Sequence, residues 1–99
     1  MNNRWLYTQL RDKAGLYVSP AYHPLIIVEK LGIEYRIYTP NTDEYLITID
    51  IVQKAKDMGA NIISYPTSWC RASSEAFSYG KKNNLQVIPH GRLFELLEE

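Results

Sequence analysis

The spacing of apolar positions changes along this chain from helical to strand-like and back. Trp5, Leu6 and Leu10 recur at near-helical spacing among polar residues, and Gly15 supplies a stop, which predicts a helix over residues 3–14. Leu16 to Val18 reads as a short strand closed by Ser19-Pro20. The stretch 21–24, with a proline at 20 and another at 24, predicts a loop. Two β-rich runs follow, LIIVE (25–29) and IEYRIYT (33–39). Lys30-Leu31-Gly32 between them has the length and glycine placement of a three-residue hairpin loop, so the runs should pair antiparallel.

Pro40-Asn41-Thr42 ends the second run, and Asn41 with Glu44 three residues later resembles a capping box. Tyr45, Ile49, Val52 and Lys56 share one helical face before Gly59, which predicts a helix over 43–58. The β-branched residues of YLITIDIV allow the alternative of more sheet and a shorter helix starting near Thr48. From Ala60 onward the pattern predicts a strand over 61–65, a helix over 70–82 with Ala72, Ala76, Phe77 and Gly80 inward, a strand over 85–88 and a closing helix over 91–98. Strand, helix, strand with short loops implies parallel pairing through a right-handed crossover. The expected architecture is one α/β domain over 1–99, with a mixed sheet: an N-terminal antiparallel hairpin, a C-terminal parallel βαβ unit, and helices packed on its faces.

Length and composition agree with one domain, since 99 residues support a single core and 45% apolar with 22% charged residues is ordinary globular usage. The longest uninterrupted apolar run, Leu25 to Val28, is far short of the roughly 20 residues of a membrane span. Arg4, Gln9, Arg11 and Asp12 interrupt any apolar stretch near the start, so no signal peptide, no membrane partner and a cytoplasmic location are expected. Cys70 is the only cysteine, which excludes an internal disulfide, and with two histidines it does not make a closed zinc site without carboxylates. No cofactor is expected from these residues. Eleven basic residues balance eleven acidic ones, which argues against strong non-specific attraction to nucleic acid and leaves room only for a local basic patch. Eight tyrosines suggest either half-buried strand positions or an interaction surface.

The order helix, three strands, helix, strand resembles the core of the restriction-endonuclease-like nucleases. The closing stretch GANIISYPTSWCRASSEAFSYGKKNNLQVIPHGRLFELLEE looks like the end of Mrr-type members, with an apolar strand, a Ser/Thr-rich turn, an alanine-bearing helix, a second apolar strand and a Leu-rich helix. The resemblance implies a metal-binding acid on the second strand and a Glu-x-Lys pair on the third, with Mg²⁺ as the cofactor of any nuclease activity. On this sequence the corresponding residues are Glu29, Glu34 and Arg36. Arg36 stands where the family has lysine, and an arginine keeps its proton, so it suits a phosphate clamp and not a base. The three-residue loop expected at 30–32 would set Glu29 opposite Ile33 and turn Glu29 and Glu34 to opposite faces. A two-residue loop would set Glu29 opposite Glu34, on one face.

The segment SYPTSWCRASSE (64–75) raises a separate candidate. Parallel strands place ligands beyond their carboxyl ends, where Thr67, Ser68, Trp69, Cys70 and Arg71 would meet His90 and Arg92. A helix starting near Cys70 would add free backbone N–H groups suited to phosphate, and Trp69 offers a stacking surface for a base. Each residue also has a plainer role: Ser68 as a helix cap, Trp69 as cover for the rim of the core, Cys70 as a small buried apolar group, His90 as a turn cap. A Cys70–His90 nucleophile and base pair lacks a third residue to orient the histidine. Three function classes follow. The leading one is a noncatalytic nucleic-acid or phosphate-ligand binding module of nuclease-like topology. The others are a divergent Mg²⁺-dependent endonuclease and a homodimeric interaction protein.

Overall fold

A computed structural model describes residues 4–12, 17–19, 25–41 and 43–98. The expected Gly15 stop and the loop at 20–24 lie outside these residues. The elements in chain order are α1 (Arg4–Arg11), β1 (Tyr17–Ser19), β2 (Leu25–Lys30), β3 (Ile33–Tyr38), β4 (Leu46–Ile47), α2 (Ile49–Asp57), β5 (Ile62–Tyr65), β6 (Arg71–Ala72), α3 (Ser74–Lys82), β7 (Gln86–Pro89) and α4 (His90–Glu98).

Five strands form one mixed sheet in the order β1-β2-β3-β5-β7. β1, β2 and β3 pair antiparallel, whereas β5 is parallel to β3 and β7 is parallel to β5. Successive strand residues face opposite sides of the sheet, and the two sides are covered by different helices. On one side Ile26, Val28, Ile37 and Ile62 pack with Leu6 and Leu10 of α1 and Leu93 and Leu97 of α4. On the other, Tyr38, Ile63, Tyr65 and Val87 pack with Val52 and Ala55 of α2 and Ala76 of α3. All four residues of β5 are buried, as a central parallel strand covered on both faces requires. The single α/β domain with a mixed sheet is therefore as the apolar periodicity predicts.

The hairpin differs from expectation in one consequential respect. Lys30 belongs to β2 and pairs with Ile33, so the loop is the two residues Leu31 and Gly32, and Glu29 stands directly opposite Glu34. Both loop residues have positive φ, 53° and 80°, as a tight hairpin turn matched to strand twist demands. The reason lies in the faces. The three-residue loop would have set buried Ile26 and Val28 across from Arg36 and Glu34, mixing apolar and charged side chains on one side. The observed register sets them across from Ile37 and Tyr35.

Two helix starts also move. The stretch 43–58 is not one helix: β4 precedes α2, which begins after Thr48, the shorter alternative that the β-branched residues allow. The helix expected over 70–82 begins at Ser74, because Arg71 and Ala72 pair with Leu46 and Ile47 in a small parallel sheet. Its cap is Ser73, whose hydroxyl accepts from the Ala76 amide at 3.1 Å, and not Ser68. Ala76 and Gly80 face inward as expected, but Phe77 is 43% exposed. Gly80 allows close packing: a Cβ there would lie 2.7 Å from the Leu85 carbonyl oxygen.

Candidate functional site

Tyr65 and Pro89 are partners at the carboxyl ends of β5 and β7, so the chain leaves the sheet side by side at Pro66 and His90. The parallel pairing on which a shared site depends is present. The two departing segments then turn to opposite faces. Ser64 shares the α1/α4 face with Ile62, and its hydroxyl is hydrogen-bonded to His90 Nδ1 at 2.5 Å. Ser64 is fully buried, and burial pushes the His90 imidazole down to about 4, so the ring is neutral near pH 7. Cys70 instead joins the cluster on the α2/α3 face.

The Cys70 thiol donates to the Glu44 carbonyl oxygen at 3.3 Å, and burial pushes it up to about 11. A thiol so placed stays protonated and makes a poor nucleophile. With Cys70 on Glu44 and His90 on Ser64, the sequence pairing of a nucleophile and a base is not what the fold assembles.

The expected cradle of free amides at residue 70 is absent for the same reason that the helix starts late. Cys70 N donates to Pro66 O, Arg71 N to Tyr45 O and Ser73 N to Ile47 O, at 3.0, 3.1 and 3.0 Å. These donors serve the turn and the small sheet. What remains open to solvent is side chains: Thr67, Ser68, Trp69 and Arg71 are all exposed. The Arg71–Tyr45 backbone bond brings a second aromatic residue to this surface, where Tyr45 is 69% and Trp69 40% exposed. Arg92 is also exposed, on α4, and forms an ion pair with Glu95 at 3.1 Å.

Beneath that surface lies a residue that sequence reasoning treated only as half of a capping box. Glu44 Oε1 accepts from the Tyr38 hydroxyl and from the Asn41 amide, each at 2.8 Å, and Lys54 Nζ donates to Oε2 at 3.0 Å. The Asn41-x-x-Glu44 spacing was the signal, yet it closes a turn instead of opening a helix. Burial alone would raise the Glu44 carboxyl; the bonds from Asn41, Tyr38 and Lys54 outweigh it and hold the group below its ordinary value. Burial, reinforced by the bond to Glu44, pushes the Tyr38 hydroxyl up to about 12. This network fixes the loop that carries Tyr45.

At the opposite end of the sheet, Glu29, Glu34 and Arg36 share one face. Arg36 Nε donates to Glu34 Oε2 at 2.6 Å. Gly59, at φ +90°, makes room for the guanidinium, since a Cβ there would lie 3.2 Å from Nη1. Two opposed carboxylates are oxygen donors of the kind Mg²⁺ accepts while keeping waters and phosphates in its other positions. Residues Glu29 and Glu34 would hold such an ion, with one Glu34 oxygen already shared with Arg36. Among the described residues no group of three or more His, Cys, Asp or Glu side chains is arranged to hold a metal. Also among them, no helix is long and apolar enough to cross a membrane.

Compared with known protein families, with curated proteins and with solved structures, the chain gives no significant match.

Proposed function

We propose that this chain is a noncatalytic nucleic-acid-binding module that takes a single strand on the exposed surface of Tyr45, Trp69 and Arg71. The carrying observation is the backbone bond from Arg71 to Tyr45, which brings exposed Tyr45 beside the exposed cationic Arg71, two residues from exposed Trp69. Aromatic faces stack on bases without regard to sequence, and an arginine follows the phosphates. Thr67 and Ser68 add hydroxyl donors beside them. With formal charge balanced, affinity would rest on stacking more than on counterion release. A phosphorylated small molecule is the weaker candidate ligand, because the amides that would cradle one phosphate are engaged.

The test is fluorescence anisotropy with a labelled twenty-nucleotide thymidine strand and the same length of duplex. Single strands should bind more tightly. Trp69→Ala should weaken binding by about fivefold or more, given about 1–3 kcal/mol per stacked base. Equal binding by the variant would remove this reading.

The hairpin register favours a second reading. Glu29 opposite Glu34 puts both acids on one face, as the endonuclease-like resemblance requires, with Arg36 standing where that family has lysine; the order of helix, three antiparallel strands, helix and parallel strand also agrees once the short β4 is set aside. Bound Mg²⁺ would supply Lewis-acid polarisation of a phosphodiester. The chain's own contribution would be two carboxylates and an arginine that clamps phosphate without taking a proton. Mg²⁺-dependent cleavage of plasmid DNA that is lost in Glu34→Ala would establish a divergent nuclease in place of a simple binder. The third class, a homodimer, would appear as a doubled mass in solution without DNA binding.

A further inference from the structure

We propose that the outer edge of β7 and the groove beside it dock a short extended peptide carrying an acidic side chain between apolar ones. The sheet order ends at β7, so that strand is paired on its β5 side, and among the described residues no strand pairs with the other. Gln86 N donates to Asn61 O at 3.1 Å, which turns that peptide group toward β5. By the alternation of a ladder, the N–H and C=O of Val87 point away from β5, while its side chain packs in the core and leaves the residue 6% exposed. Proteins generally blunt such edges, and the proline at 89 does so here for one end only.

Beside this edge, α3 and β7 bound an open groove of about 510 Å³ lined by Phe77, Lys81, Leu85, Val87 and Ile88, among others. The close approach that Gly80 permits brings the last turns of α3 against the start of the strand, so Phe77 and Lys81 border the groove. Phe77 is 43% exposed despite standing on a helix that packs against the core. Lys81 is the only charged residue in the lining, and among the described residues it has no carboxylate partner.

Size selects the occupant. A stable dimer buries roughly 800 Å² and about 20–30 residues on each side. A groove with seven lining residues falls well short of that, whereas its volume lies in the usual range for small-ligand sites. Because Pro89 lacks an N–H and the Leu85 carbonyl lies against Gly80, the edge offers the Val87 N–H and C=O and the Pro89 carbonyl, enough for two or three residues of an added strand. Strand addition supplies backbone bonds, and the alternate side chains of the added segment give specificity. Here they would meet an aromatic wall and a lysine.

The experiment is a titration of the ¹⁵N-labelled full chain with an acetylated, amidated pentapeptide of alternating valine and glutamate, and with its valine–lysine counterpart. The expected result is amide shifts centred on Val87 and Lys81, with the glutamate peptide favoured by about fivefold or more. Lys81→Glu should reverse that preference, and Phe77→Ala should weaken both peptides. Neither side chain belongs to the buried core, so both variants should stay folded, with a modest fall in midpoint for an acid in the last turn of α3 and for the apolar area lost at Phe77. Equal binding of the two peptides, shifts remote from β7, or no binding at millimolar peptide would overturn the proposal. So would a dimer that protects the Val87 amide without peptide.

Discussion

The two ends of the central strand β3 treat polar groups in opposite ways. At its carboxyl end Tyr38, Glu44 and Lys54 form a bonded network with Tyr38 fully buried, and on the far face buried Ser64 bonds to the partly buried His90. At its amino end Glu34 and Arg36 touch at 2.6 Å but are about half exposed, with side-chain accessibilities of 47% and 50%. The first arrangement is expensive to disturb, because a buried polar atom that loses its partner keeps its desolvation cost. The second is held in water, where an ion pair contributes little. Rigid scaffolding therefore underlies the loop end, while the hairpin end holds its charges in water.

The strongest way to probe this contrast is acid. His90 is held at about 4 in the fold, against an ordinary value of 6.5. The unfolded chain therefore takes up a proton first as pH falls. The contribution is complete above about 6.5 and is lost progressively as pH drops toward about 4. At about 1.4 kcal/mol per pH unit, the loss reaches about 3 kcal/mol. Urea unfolding between pH 7 and 4 should show it, and His90→Asn should flatten the curve in that window. A wild-type midpoint that stays level across the window would mean that the imidazole is solvated.

Substitution at the two carboxylates should give a smaller, equally directional difference. Glu44→Ala removes the acceptor of the Tyr38 hydroxyl and the Asn41 amide and should cost about 2 kcal/mol by denaturant unfolding. Glu34→Ala should cost about 0.5 kcal/mol or less, and less again at high salt. Comparable losses from the two variants would erase the distinction drawn between the ends of the strand.

How far the sequence foretold this depends on whether a feature is set locally or by a partner. The parallel pairing of β5 and β7 was legible because continuous apolar runs with a helix between them have few other ways to be buried. Thr48 as the start of α2 was legible only as an alternative, since the pairing of Leu46 with Arg71 is made with residues 25 positions away. The same long-range pairing hid Ser73 as the cap and consumed the amides expected for an anion. Glu44 was visible by spacing, but its value comes from Tyr38 and Lys54, which only folding brings to it. The hairpin register was open to inference: matching Ile26 and Val28 to apolar partners would have selected it over the loop rule.

The turn itself offers the smallest and most discriminating test. Leu31 adopts φ 53° while 89% exposed, so it bears the cost of a left-handed conformation with little packing in return. That cost is about 1–2 kcal/mol for an ordinary side chain and less for asparagine, which bonds to its own backbone there. Leu31→Asn should therefore stabilise the protein by about 0.5–1 kcal/mol, read as a higher urea midpoint at unchanged slope. The sign matters more than the size. In a three-residue loop Leu31 would have ordinary negative φ and asparagine would gain nothing there. A neutral or destabilising result would thus return Glu29 and Glu34 to opposite faces and dissolve the carboxylate pair on which the cleavage reading depends.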